Sequence, residues 1–170
     1  MEDCESLFLE IYFDKNTSTD KTPKKKTFLL GSIYKHPRYA TTVFNQQLFE
    51  KISIYSEKNI PILILGDINI NALDKCDRSQ DYLNVLSSVG CKNLVDVPTC
   101  FSDGSRTCLD HIITNCDQNE ITHGVLDETP TNHLPTYAIY KGGEFSYKNT
   151  INEDDNPKWR FFDERKNKCS

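Results

Sequence analysis

Ile62-Leu-Ile-Leu-Gly-Asp-Ile-Asn69 is a short apolar run that delivers a carboxylate and a carboxamide, two residues apart, at its end. Residues 60–65 read as a buried strand, because the run is apolar throughout and too short for a membrane helix. Residues at i and i+2 of an extended chain share a face, so Asp67 and Asn69 project into one space if the strand geometry persists. Gly66 lets the backbone turn or be approached closely at that point. The competing reading is a buried strand followed by an Asx-rich turn over Asn69-Ile-Asn71.

On the N-terminal side, residues 7–13 (Leu-Phe-Leu-Glu-Ile-Tyr-Phe) and 27–34 (Thr-Phe-Leu-Leu-Gly-Ser-Ile-Tyr) are rich in aromatic and β-branched residues and read as two strands. The polar stretch Asp14 to Lys26 between them, ending in Pro23-Lys-Lys-Lys26, reads as a hairpin loop with a solvated tip. Phe44, Leu48, Ile52 and Tyr55 recur at spacings of four, four and three, which predicts an amphipathic helix over 43–57 started by Thr41 and Thr42. A second helix is expected from Asp81 to Val89, with Ser79 as its cap and Gly90 as its stop. Residues 109–114 and 134–140 read as further strands, and 121–126 as a weaker one. Strand, helix, strand, helix in this order is the signature of a mixed α/β chain.

The chain has 170 residues, is 37% hydrophobic and 11% aromatic, and carries a formal net charge of -5. One domain with a core is the expectation, over 1–140, followed by a polar linker or tail over 141–170 in which Trp159, Phe161 and Phe162 are candidates for docking. The negative charge argues against a protein that grips nucleic acid through a broad basic surface. It leaves room for a nuclease, whose metal site needs carboxylates and whose phosphate contacts are few and local. The seven cysteines are odd in number, widely spread and without a C-x-x-C pair. Reduced structural thiols in an intracellular, non-secreted chain are expected, with no membrane span and no zinc site.

Chemically loaded residues fall at strand ends: Tyr34 before Lys35-His36-Pro37, the pair Asp67 and Asn69, Asp110, and Asn132-His133. Each alone has an ordinary structural explanation, but together and in this order they form a set. The elements Gly31-Ser-Ile-Tyr-Lys-His-Pro37, Leu65-Gly-Asp-Ile-Asn-Ile70, Pro98-Thr99, Thr107-Cys-Leu-Asp-His-Ile-Ile-Thr-Asn115 and Asn132-His-Leu-Pro135 resemble the endonuclease/exonuclease/phosphatase superfamily. Within it the likeness is to the endonuclease domain that precedes reverse transcriptase in non-LTR, LINE-type retrotransposons, and it runs from about residue 5 to 140.

The resemblance implies a DNase I-like α/β/β/α four-layer sandwich, DNA as substrate, Mg²⁺ as cofactor and a reverse transcriptase domain as downstream partner. By the same resemblance, Tyr34 would hydrogen-bond the scissile phosphate and Asp67 would align or deprotonate the attacking water. Asn69 would position the phosphate or the Asp67 carboxylate, and Thr99 and Asn132 would contact phosphate. His133 would stabilise the developing phosphorane charge with Asp110 behind it, an arrangement that makes physical sense because a carboxylate on one ring nitrogen favours the cationic imidazole.

Two departures bear on activity. The family's Ser-Asp-His reads Thr131-Asn132-His133 here, so an acid has become an amide that brings no charge to a cation held by Asp67 and Asn132 and takes no proton from water. The family's metal-binding Glu belongs upstream of the segment matching 7–13, where this sequence has only Met1 to Ser6. The expectation is a domain incomplete at its N-terminus and catalytically impaired. A phosphomonoesterase of the same superfamily and a non-enzymatic interaction module are the alternatives, and the module alone lets the named side chains diverge.

Overall fold

The computed structural model describes residues 4–15, 24–102, 104–127 and 131–141. Strands β1 (Cys4–Lys15) and β2 (Lys24–Lys35) form an antiparallel hairpin, and helix α1 (Thr41–Glu57) crosses over to β3 (Ile62–Asp67), which runs parallel to β2. Helix α2 (Asp77–Ser88) follows, then the short strand β4 (Lys92–Asn93), the small hairpin β5 (Cys100–Ser102) and β6 (Ser105–Thr107), and β7 (Asp110–Thr114). A third hairpin, β8 (Ile121–Val125) with β9 (Thr136–Tyr140), completes the set. The main sheet has the order β1-β2-β3-β7-β4 and is mixed, because β7 pairs antiparallel with both β3 and β4.

β3 has two buried faces, which is why it reads as a continuous apolar run rather than an alternating one. Ile62 and Ile64 join Leu29, Ile33 and Ile113 under Phe44, Leu48 and Ile52 of α1 and Tyr82 and Leu86 of α2. Leu63 and Leu65 point the other way, with Phe28, Leu30 and Ile112, toward Val125, Ala138 and Tyr140 of the β8–β9 hairpin. The Phe28 and Tyr140 rings lie 4.7 Å apart, centroid to centroid. The described residues thus supply helices, a main sheet and a small second sheet, three layers of the expected four.

Several local expectations are corrected. α2 begins at Asp77, four residues early, with Cys76 as N-cap; Ser79 lies inside the first turn and its hydroxyl donates to the Asn71 carbonyl at 2.9 Å rather than capping the helix. α1 begins at Thr41 with Ala40 at the cap position and no side-chain cap. The β1–β2 ladder continues through Lys15↔Lys24, so the Lys24–Lys26 run belongs to a strand; long antiparallel pairing carries it past the point where polarity suggested a loop. Residues 16–23, and the tail from 142 with Trp159, Phe161 and Phe162, lie outside the described residues. Gly90 does stop α2: at φ +68 it allows Cys91 N–H to reach Leu86 O and Gly90 N–H to reach Ser87 O, a Schellman closure.

Among the described residues no helix is long and apolar enough to cross a membrane. The six described cysteines are free thiols, and burial pushes Cys91 and Cys108 up to about 12.

Candidate active site

The site is built from one register row. Tyr34 is the β partner of Asp67, and Asp67 is the partner of Asp110, so three neighbouring strands bring these residues to the same level. Alternation places all three on the face of Leu30, Leu65 and Ile112, away from the helices. Parallel pairing of β2 and β3 is close here. A Cβ on Gly66 would stand 1.8 Å from the Ile33 carbonyl oxygen, so no other residue fits, although its φ is unremarkable.

His133 reaches the row from a distant segment. Leu134 N–H donates to Thr99 O at 2.7 Å, Phe101 N–H donates to Asn132 O at 2.9 Å, and Cys100 bridges His133. Thr131 Oγ1 accepts the His133 N–H. So held, His133 Nδ1 donates to Asp110 Oδ2 at 2.9 Å, with the histidine and aspartate side chains 34% and 18% exposed. Asp67, Asp110 and His133 each offer a ligand atom, and these atoms lie within 4.8 Å of one another. Burial first, and the Asp110 charge second, hold the Asp67 carboxyl above its ordinary value, against the lowering effects of the Asn69 N–H and His133.

The Asn69 side chain stays close enough to the Asp67 carboxyl to lower its pKa, but not through strand alternation. Strand geometry ends at Asp67, and Asn69 adopts φ +51, a left-handed conformation that asparagine tolerates. Its N–H donates to Asp67 Oδ1 at 3.1 Å and its Nδ2 donates to the Lys35 carbonyl at 2.9 Å. Asn69 therefore closes an Asx turn around Asp67 and ties the ends of β2 and β3 together. Asn71 forms the next Asx turn, accepting from Leu73 N–H and Cys108 N–H.

Thr99, expected at a phosphate, is fully buried. Its hydroxyl oxygen accepts the Leu109 and Asp110 N–H groups, both at 3.0 Å, so its work is to set the entry of β7 and hence the height of Asp110. Asn132 is exposed, with Nδ2 3.9 Å from Cys100 Sγ. Tyr34 is 42% exposed at the head of the row.

Two residues of the quoted elements have roles that the sequence reading missed. His111 is fully buried on the helix side; its Nε2 lies 3.1 Å from Cys108 O and its Nδ1 2.9 Å from Tyr82 Oη, so it donates to the carbonyl, accepts from the phenol, and pins α2 to β7. Lys35 is 1% exposed, its ammonium 3.4 Å from the His36 carbonyl and 6.0 Å from the Phe44 ring centroid. Burial first, and then the Arg78 charge, lower it below an ordinary lysine. Alternation with Leu29 and Ile33 was the signal that Lys35 points inward.

No family model matches the chain, and no curated protein does. Solved structures do. The endonuclease domain of TRAS1, a telomere-specific non-LTR retrotransposon, superimposes with a TM-score of 0.57 over 83% of this chain and 70% of that one, at 14% identity. An AP endonuclease from Archaeoglobus fulgidus gives 0.50 over 77% and 70%, at 12% identity. This chain has the endonuclease/exonuclease/phosphatase fold. Within that fold the main sheet carries the Asp67–Asp110 row at one end, and the connection between β8 and β9 bears His133. The side chains expected to converge are Tyr34, Asp67, Asn69, Asp110 and His133, and Asn69 joins them through the N–H it donates to Asp67 Oδ1. Asp67, Asp110 and His133 meet at one point, with Tyr34 in register beside them.

Proposed function

We propose that the chain is an endonuclease-like domain of the non-LTR retrotransposon kind, built to hydrolyse a DNA phosphodiester but with weakened cation binding. The observation that supports it is the convergence of Asp67 with the Asp110–His133 pair beside Tyr34. An interaction module has no need to gather two carboxylates against their mutual repulsion.

The chemistry of this chain's own groups follows from their positions. The Asp67 carboxylate, raised by burial, is suited to take a proton from an attacking water, since a base works best as its value approaches the working pH. Asp110 holds the His133 ring with Nε2 free, ready to donate to a phosphate oxygen as charge develops there. The Tyr34 hydroxyl, exposed at the row's head, is available to the same phosphate. Two converging carboxylates fit the hard oxygen donors that Mg²⁺ takes, and Mg²⁺ usually has one or two carboxylates plus waters and substrate oxygens. Asp67 and the free oxygen of Asp110 would hold it, and it would supply polarisation of the phosphate. Asn132 adds no charge, so the ion's affinity leans on the substrate.

Nicking of supercoiled plasmid, compared with an Asp67→Ala control across a Mg²⁺ series, tests this. Nicking should match the control at low millimolar Mg²⁺ and separate from it as Mg²⁺ rises. Separation already at low Mg²⁺ would overturn the weakened-cation reading, and identical rates at every concentration would overturn the catalytic one.

A further inference from the structure

Tyr140, at the end of β9, packs its ring on Phe28 of β2, in one cluster with Ile11 of β1. Beyond that contact the cover that β8 and β9 lay over the main sheet gives out. Phe8 packs with the helices, so alternation puts Leu7, Leu9 and Ile11 on the opposite face, that of Phe28 and Leu30. Exposure rises along this strip: Ile11 is half-buried, Leu9 is 47% exposed and Leu7 61%. β1 is also an edge. Its twelve residues pair with β2 alone among the described strands, which leaves a row of backbone N–H and C=O groups on its outer side.

The helix face of β1 has room of its own. Between β1 and α1 lies a cavity of about 380 Å³, lined by Cys4, Ser6 and Phe8 with Phe44, Leu48 and Lys51. Glu10 adds an exposed carboxylate on that face, where Tyr55 of α1 donates to it at 2.7 Å.

The chain itself supplies an occupant. It leaves β9 at Tyr140, beside the strip, with residues 142–170 still to come, and among them is the aromatic run Pro157-Lys-Trp-Arg-Phe-Phe-Asp163. In an extended segment Trp159 and Phe161 share a face and step by about 6.6 Å, the same step that separates Leu7 from Leu9. Lys158, Arg160 and Phe162 fall on the other face. A single added strand would cover the leucines with the first pair, lay Phe162 at the cavity and bring a cation to Glu10. The nearer pair, Phe145 and Tyr147, alternates with Glu144 and Ser146, which offer the cavity nothing apolar. The link from Lys141 to Trp159 reaches about 60 Å when extended, far more than the few strand spacings to be crossed. Such a tether holds the segment at an effective concentration on the order of millimolar, so a modest contact suffices.

We propose that residues 157–163 add to the outer edge of β1 as a further strand, with Trp159 and Phe161 on the face of Leu7 and Leu9 and Phe162 over the cavity. The partner is this chain's own tail. The proposal is independent of the nuclease reading.

Trp159 is the one tryptophan of the chain, so its fluorescence reports on this segment alone. In the full chain its emission should be blue-shifted from that of the urea-unfolded chain and shielded from acrylamide. Emission like that of the unfolded chain would overturn the proposal. Leu7→Lys/Leu9→Lys should stay folded by circular dichroism, since both side chains are exposed, and should lose the blue shift. A blue shift that survives in this variant would place the tail elsewhere and overturn the proposal. Hydrogen exchange reads the same contact from the strand: the outward-facing β1 amides should exchange faster in Trp159→Ala/Phe161→Ala than in the wild type, and unchanged exchange would overturn the added strand. A blue shift that fades on dilution would assign the tail to β1 of a second copy and overturn docking within one chain.

Discussion

Asp110 Oδ2 accepts a hydrogen bond from His133 Nδ1 at 2.9 Å, across 23 residues of chain, from the start of β7 to the connection between β8 and β9. The contact fixes which ring nitrogen carries a proton toward the carboxylate and which faces outward. Thr99 stands behind both partners, since it takes the Asp110 N–H on its hydroxyl and the Leu134 N–H on its carbonyl.

Asp110→Asn should keep the shape of this contact and lose its charge. Plasmid nicking at high Mg²⁺ is expected to fall by about 10²-fold, the scale for losing one preorganised transition-state donor. Duplex binding should change far less. Equal nicking by the variant and the wild type would remove Asp110 from the chemistry.

Asp67 carries a stability cost with a definite sign. Its folded value is raised, so the native state holds the proton to higher pH than the unfolded chain does. The stabilising contribution is complete below the unfolded value near 3.8 and is lost as pH rises through the folded value. Asp67→Asn keeps an oxygen for the Asn69 N–H and removes the charge. Its Tm should exceed that of the wild type by about 2 °C or more at neutral pH, and the two should converge below pH 4. A variant less stable at neutral pH would show that the Asn69 and His133 contacts outweigh burial.

Tyr82→Phe should leave His111 Nδ1 without its donor in a fully buried place. Urea unfolding is expected to show a loss of about 1–3 kcal/mol. Duplex affinity should be unaltered, because His111 faces the helices and not the cleft. A loss of binding without a loss of stability would give His111 a functional role.

Gly66→Ala would drive a methyl group into the Ile33 carbonyl. The strands must part, and a cost of about 3 kcal/mol or more is expected on denaturation, in the long tail of single substitutions. Because the same contact aligns Tyr34 with Asp67, cation-dependent nicking should vanish even in conditions where the variant stays folded. A variant as stable as the wild type would show that the β2–β3 approach is looser than 1.8 Å implies.

The sheet and the site were legible to different degrees, for physical reasons. β3 announced itself because both of its faces are buried, and α1 because Phe44, Leu48 and Ile52 keep a helical period over one face. Asp67 and Asp110 stood out as charges at the mouths of apolar strands. Asn69 reaches Asp67 as its spacing suggested, but through a left-handed turn rather than strand alternation, since the regular strand ends at Asp67. Thr99 looked like a contact residue by resemblance, but a hydroxyl that satisfies two backbone N–H groups leaves no such trace in sequence. β4, β5 and β6 are two or three residues long, too short for any period to register.

The register row has a consequence for how the protein comes into being. Tyr34, Asp67 and Asp110 align only after the crossover and antiparallel pairings have formed, and His133 is the last of the four to be synthesised. A chain still lacking residue 133 contains every strand of the main sheet and yet holds no complete set of the four groups. On the proposed reading, hydrolysis at this end of the sheet therefore waits for the segment bearing His133 to be made and to close on Asp110.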